Sequence, residues 1–188
     1  MSHTRFPDPD PASVEDALRL RSALIESGLA SSDGFAGCTD EEIAAIQSVS
    51  PIPLPSDYVA FLQLMGHRAD GLFQGRGVFY PEPLDTYVDV RDLVEKDGEN
   101  ISMDGRFFFG HHQGYVFFFF EKEDPAVYSY TERHADDLRR LSDSFLAWGW
   151  AHYEQALEVR ARGRLMFEER QQKREAMGLP REDRGTDQ

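Results

Sequence analysis

The hydrophobic positions change period along the chain, and the changes mark out its elements. Val14, Ala17, Leu18, Leu24, Ile25 and Leu29 recur at steps near three and four, the spacing of one helix face. Ser13, with Asp16 three residues on, predicts the start of this helix, and Gly28 or Gly34 its end. TDEE at 39–42 reads as a capping box. In it Thr39 accepts from the backbone N–H of Glu42, and the Glu42 side chain reaches back. A helix to about Ser48 follows, and SPIPLP breaks it. Pro55 suits a first helical position, where a missing N–H costs nothing. The helix it opens, PSDYVAFLQLM, puts Tyr58, Phe61, Leu62 and Met65 on one stripe and stops at Gly66.

From Leu72 the period changes. LFQGRGVF reads as a strand pair or an irregular strand with glycine turns, and VRDLVEK as a short helix. RFFFG, YVFFFF and AVYSY read as strands, with HHQG and EKEDP as the turns between them. Connections this short predict an antiparallel meander. Helical spacing returns with Leu146, Trp150, Tyr153 and Leu157, capped by Ser142, weakened at Gly163 and closed by Gly178 and Pro180. The first dozen residues and the closing REDRGTDQ are expected to be loose. The organisation read from these changes is an extension with one helix at 1–38, a domain at 39–158, and a charged helix with its tail at 159–188.

Phe117, Phe118, Phe119 and Phe120 raise the sharpest question. In a strand Tyr115, Phe117 and Phe119 share one face, and Val116, Phe118 and Phe120 the other. Both faces are apolar, so both need cover. Burying one Phe contributes about 1.5–3 kcal/mol, and a whole domain is net stable by about 5–15 kcal/mol. A central core strand is therefore expected, ahead of an aromatic ligand pocket. A membrane contact is disfavoured, because the flanking acids are repelled by anionic lipid.

Charge narrows the partner. The 188-residue chain carries a formal charge of −14. Residues 1–153 hold 26 acidic and 12 basic groups, which accounts for all of it, and 154–188 hold eight of each. Such a body repels phosphate backbones, which argues against nucleic acid, and attracts basic proteins. The single cysteine, Cys38, forms no internal disulfide and favours a reducing compartment. No apolar run approaches the roughly 18 residues that span a bilayer, and the start lacks a signal-type stretch. A cytoplasmic protein is expected.

Catalytic and metal chemistry find little support. His111 and His112 are adjacent, and neighbouring side chains in extended backbone diverge. His67, His134 and His152 are scattered, no second Cys/His cluster completes a metal site, and no cofactor motif stands out. Cys38 lies in FAGCTDEE, where carboxylates oppose thiolate formation. GLFQGRG lacks the lysine and helix start of a phosphate loop. The remaining candidate is acidic: Glu82, Asp85, Asp89, Asp92, Glu95 and Asp97 within EPLDTYVDVRDLVEKDGEN, with Glu121, Glu123 and Asp124 in EKEDP. This is either a solvated face or a docking surface for a basic partner.

Three local patterns, in order, resemble the SUKH superfamily, which joins fungal cell-wall regulators of the Smi and Knr kind to bacterial immunity proteins. The first is Leu54, Pro55, Asp57, Tyr58, Phe61 and Leu62 followed by Gly66; the second is Phe109 and Gly110, then Gly114 and an aromatic strand; the third is Ser144, Phe145 and Leu146. The similarity runs from about Thr39 to Tyr153. It departs at Met65, where the family often has Asn, and at His111 and His112, where Asp is common. The resemblance implies an α+β fold, with a mostly antiparallel, bent sheet packed against helices. It also implies a non-enzymatic protein that works by binding another protein. The leading expectation is an immunity protein that neutralises a cognate, possibly nuclease, toxin. The alternatives are a scaffold or regulatory domain of the same fold, and a hydrolase using His111 and His112.

Overall fold

The computed structural model describes residues 6–180. Its element order is α1 (Pro11–Glu26), β1 (Phe35–Ala36), α2 (Asp40–Val49), α3 (Ser56–Met65), β2 (Arg68–Ala69), β3 (Arg76–Gly77), α4 (Glu82–Asp97), β4 (Arg106–His112), β5 (Val116–Glu121), β6 (Asp124–Thr131), β7 (His134–Ser142) and α5 (Phe145–Ala176). Five strands form one antiparallel sheet in the order β3-β4-β5-β6-β7, and β1 pairs with β2 apart from it. This is the expected α+β class.

β5 sits at the centre of the sheet. Phe107, Phe109, Phe118 and Phe120 face a core filled by Leu20 and Leu24 of α1, Ile43 and Ile46 of α2, Tyr58, Phe61 and Leu62 of α3, and Phe145 and Trp148 of α5. Phe108, Phe117, Phe119 and Tyr130 face the other way, under Val90 of α4 and Ile101 of the following loop. No ring of the Phe quartet is more than 4% exposed. The two-faced burial expected from strand alternation therefore holds, except at Tyr115. That residue lies in the turn before β5 and is 45% exposed.

The ring packing is dense on the larger side. Phe109 stacks on Phe120 at 4.3 Å, and Phe145 lies 4.8 Å from Tyr58 and 4.7 Å from Phe61. Alternation puts Phe109 on the same side as Phe107, and a bulge between Phe108 and Gly110 shifts the register with β5 just beyond. Gly110 is required there, because a Cβ would sit 2.5 Å from the Gly77 carbonyl of β3.

Several local expectations need correction. Asp10, not Ser13, caps α1: its carboxylate accepts from the Ser13 N–H and hydroxyl and from Ser56 Oγ, which holds it down to about 2. Residues 6–12 are accordingly less loose than their composition suggests, with Phe6 buried, and the first five residues lie outside the described ones. Pro55 precedes α3 rather than opening it. LFQGRGVF contributes only the two residues of β3. The short helix expected at VRDLVEK is a 16-residue helix, since Leu84, Tyr87, Val90 and Leu93 repeat every three residues and left-handed Gly98 closes it. His111 and His112 belong to β4, and the turn is Gln113 and Gly114. β7 was not expected at all. Ser144, not Ser142, caps α5, which runs through Gly163 unbroken. The closing REDRGTDQ lies outside the described residues.

The first and third resembling patterns meet in space. Asp57, in the first turn of α3, accepts a 2.9 Å hydrogen bond from the Leu146 N–H, near the start of α5. Ser144 Oγ accepts from the Ala147 N–H. Together they satisfy donors that the helix leaves unpaired. Burial pushes the Asp57 carboxyl up, against the pull of its hydrogen bonds from Leu146 and Ser144. Asp57→Ala is expected to cost about 1.5–3 kcal/mol in a denaturant titration, the worth of a hydrogen bond to a charged group. A raised folded-state value means this carboxyl favours folding below its unfolded value, about 3.9, and loses that contribution as pH rises through the folded value. Asp57→Asn keeps an acceptor but cannot titrate, so its stability relative to wild type should grow as pH rises through that window.

Candidate functional site

The predicted acidic residues fall at two places. On α4, Asp85, Asp89 and Glu95 are exposed, and Glu82 and Asp92 are half-buried. The Asp97 side chain lies outside the described residues. Asp85, Asp89 and Asp92 are four and three residues apart, so they share the helix face turned away from the sheet. Asp92 pairs with Lys96 at 2.7 Å, a hydrogen bond that lowers its pKa. Among the described residues Asp85 and Asp89 have no ion-pair partner. Like charges at this spacing cost a helix about 0.2–0.5 kcal/mol per pair.

Asp89 and Asp92 also rim a cavity of about 370 Å³, with Glu132 across from them and Leu93, Phe117, His111 and Gly114 in its walls. Glu132 joins the face through the β6–β7 turn, which sequence order alone does not suggest. Glu99 ties the end of α4 to this region by accepting from Tyr130 OH and the Arg133 N–H.

The second group sits at the far end of β5. Glu121 lies five positions along β5 from Val116, about 17 Å of extended strand, so the two acidic groups do not form one patch. Glu121 is bound to Arg106 at 2.8 Å. Asp124 accepts from the Ala126 N–H and Tyr128 OH, both of which lower its pKa. Glu123 alone of the three points fully outward. The turn's acids mostly hold the turn, whereas Asp85 and Asp89 of α4 face outward and repel each other.

His111 and His112 diverge as strand neighbours do. His111 lines the α4 cavity, and His112 Nδ1 lies 2.9 Å from the Gly75 carbonyl oxygen. Nothing in this placement couples them as an acid–base pair. A second cavity, about 360 Å³, lies between the 70–76 loop and α5, lined by Phe73, Arg76, His152, Val159 and Arg160. Burial and the neighbouring Arg76 push His152 down to about 4. With Arg76 and Arg160 in its wall, the cavity is a cationic spot on an acidic body, and so a poor seat for a basic partner.

Of the scattered histidines, His67 is brought beside Cys38, 29 residues upstream. The Cys38 Sγ, a Glu42 carboxylate oxygen and a His67 ring nitrogen lie within 4.8 Å of one another. Burial, then Glu42, pushes the Cys38 thiol up to about 12. That leaves it protonated and opposes a nucleophilic role.

An aromatic sheet closed between helices makes a small α+β domain. Residues 37–148 match the SMI1 / KNR4 family (SUKH-1), and the chain belongs to that family. No individual curated protein matches it. Among the described residues no helix is long and apolar enough to cross a membrane.

Proposed function

We propose that this is an immunity protein, a cytoplasmic, non-enzymatic binder that neutralises a basic toxin domain through the outer face of α4. The observation that carries the reading is the row Asp85, Asp89 and Asp92, continued by Glu132 across the groove. Three acids on one helix face repel one another, and only Asp92 has a cation beside it. A basic partner would relieve that repulsion. A nuclease carries such a basic surface, because it must hold phosphates, and an acidic protein can cover it. Membership of the family and the charge of −14 support the same reading.

A second reading, a scaffold or regulatory domain, has support in α5. The helix is 32 residues long, and Val159, Leu165 and Met166 are each more than 60% exposed. One experiment separates the two. The protein is co-expressed with the toxin-like end of a secreted protein encoded beside it, as the full chain and truncated after Gly163. Immunity predicts that both forms restore growth and co-purify with the toxin. Protection that requires the distal half of α5 favours the scaffold, and recovery of neither toxin nor basic partner ends the immunity reading.

A further inference from the structure

We propose that Cys38, Glu42 and His67 form a binding site for a single divalent transition-metal ion, Zn²⁺ by the chemistry of its donors. The site is independent of the acidic face of α4. One thiol sulfur, one carboxylate oxygen and one imidazole nitrogen lie within 4.8 Å of one another. This is a mixed sulfur, nitrogen and oxygen set of the kind Zn²⁺ takes, and three protein ligands leave a fourth position for water. His67 and Glu42 are partly exposed, so an ion has a way in.

The backbone holds the three donors together. The Cys38 N–H donates to the Leu62 carbonyl at 2.8 Å, and the His67 N–H to the Ala36 carbonyl at 2.9 Å. These bonds lash the segment before α2 to α3 and to the segment after it. Gly66 admits the cysteine: a Cβ there would stand 2.5 Å from Cys38 Sγ. The His67 ring lies edge-on to Tyr80 at 5.1 Å, which fixes its plane. Glu42 is anchored by the capping box, in which its Oε2 accepts from the Thr39 N–H at 2.8 Å. Oε2 also meets His67 Nε2 at 2.9 Å. An ion would take the place of that hydrogen bond and displace the thiol proton to solvent. The positive end of α2 opposes a cation, but Asp40, Glu41 and Glu42 in its first turn outweigh it.

The test is a titration of the full chain with Co²⁺, followed by displacement with Zn²⁺. Because Cys38 is the only cysteine, a thiolate-to-cobalt charge-transfer band reports this site alone. The expected result is a band that saturates at one equivalent and is erased by Zn²⁺. Cys38→Ser should abolish it. His67→Ala and Glu42→Gln should each weaken Co²⁺ binding by at least about tenfold, the loss seen for supporting contacts alone. Glu42→Gln keeps a capping-box acceptor, so its effect is separable from helix stability. Circular dichroism confirms folding, and if Cys38→Ser fails to fold the two surface variants decide. No band at excess Co²⁺ overturns the proposal, as does undiminished binding in His67→Ala and Glu42→Gln.

Discussion

Phe120→Ala is expected to remove about 3–5 kcal/mol of folding stability, the cost of emptying a large aromatic site in a core. Phe120 is fully buried, stacks on Phe109 at 4.3 Å and lies 5.2 Å from Tyr58. Its neighbours come from α3, β4 and α5, so none of them can move in without disturbing a whole element. A loss of this size rivals the net stability of a small domain, about 5–15 kcal/mol. The variant should therefore unfold at much lower urea or accumulate as aggregate. Tyr115→Ala is the contrast. That ring is exposed and its hydroxyl donates only to Gln113, so the change should stay within about 0.5 kcal/mol. Equal losses in the two variants would mean that the strand is not buried as described.

The second large effect concerns binding. Reversing Asp85, Asp89 and Asp92 together to lysine changes the outer face of α4 by six charges while leaving Thr86 and Val90 in place beneath it. Charge on an interface acts chiefly on encounter, and steered association exceeds unsteered by roughly 10²–10³-fold. The triple variant should associate with a basic partner about 100-fold more slowly at low salt, and the gap should narrow as salt screens the field. Stability should change by less than about 1 kcal/mol, because Asp85 and Asp89 are exposed and the one ion pair lost, Asp92–Lys96, is a surface pair. Reversal of Glu123 alone should leave association nearly unchanged, since it stands at the opposite end of β5.

The sequence carries much of this fold in particular residues. TDEE at 39–42 forms its capping box in full, with Thr39 and Glu42 bonded both ways. The Phe quartet splits between two faces because strand periodicity leaves it no other arrangement. Legibility fails where periodicity is absent. HADDLRRLS lacks hydrophobic alternation, yet it pairs with β6 as the edge of the sheet. Edges suit charged residues, which guard against further pairing, so its polarity hid it. The two prolines at 81 and 83 disguise the start of α4, although proline fits a first helical turn.

The candidate site was legible by composition and illegible in geometry. Clustering of acids picked out α4, but only the helix length shows that Asp85, Asp89 and Asp92 align while Glu121 and Asp124 are spent on Arg106 and on the turn. Glu132 entered through a hairpin whose second strand the pattern does not announce. Cys38 and His67 meet because β1 pairs with β2 and the Cys38 N–H bonds to the Leu62 carbonyl of α3, contacts that no spacing rule reaches.

The central claim is that the carboxylates of α4 engage a basic protein. The direct measurement is the association rate of the full chain with the cognate toxin domain recovered by co-expression, taken across a salt series for wild type and for the Asp85, Asp89 and Asp92 triple reversal. Fast, salt-sensitive association that collapses on reversal is the predicted result. Association at the same rate and with the same salt dependence in both proteins would contradict it.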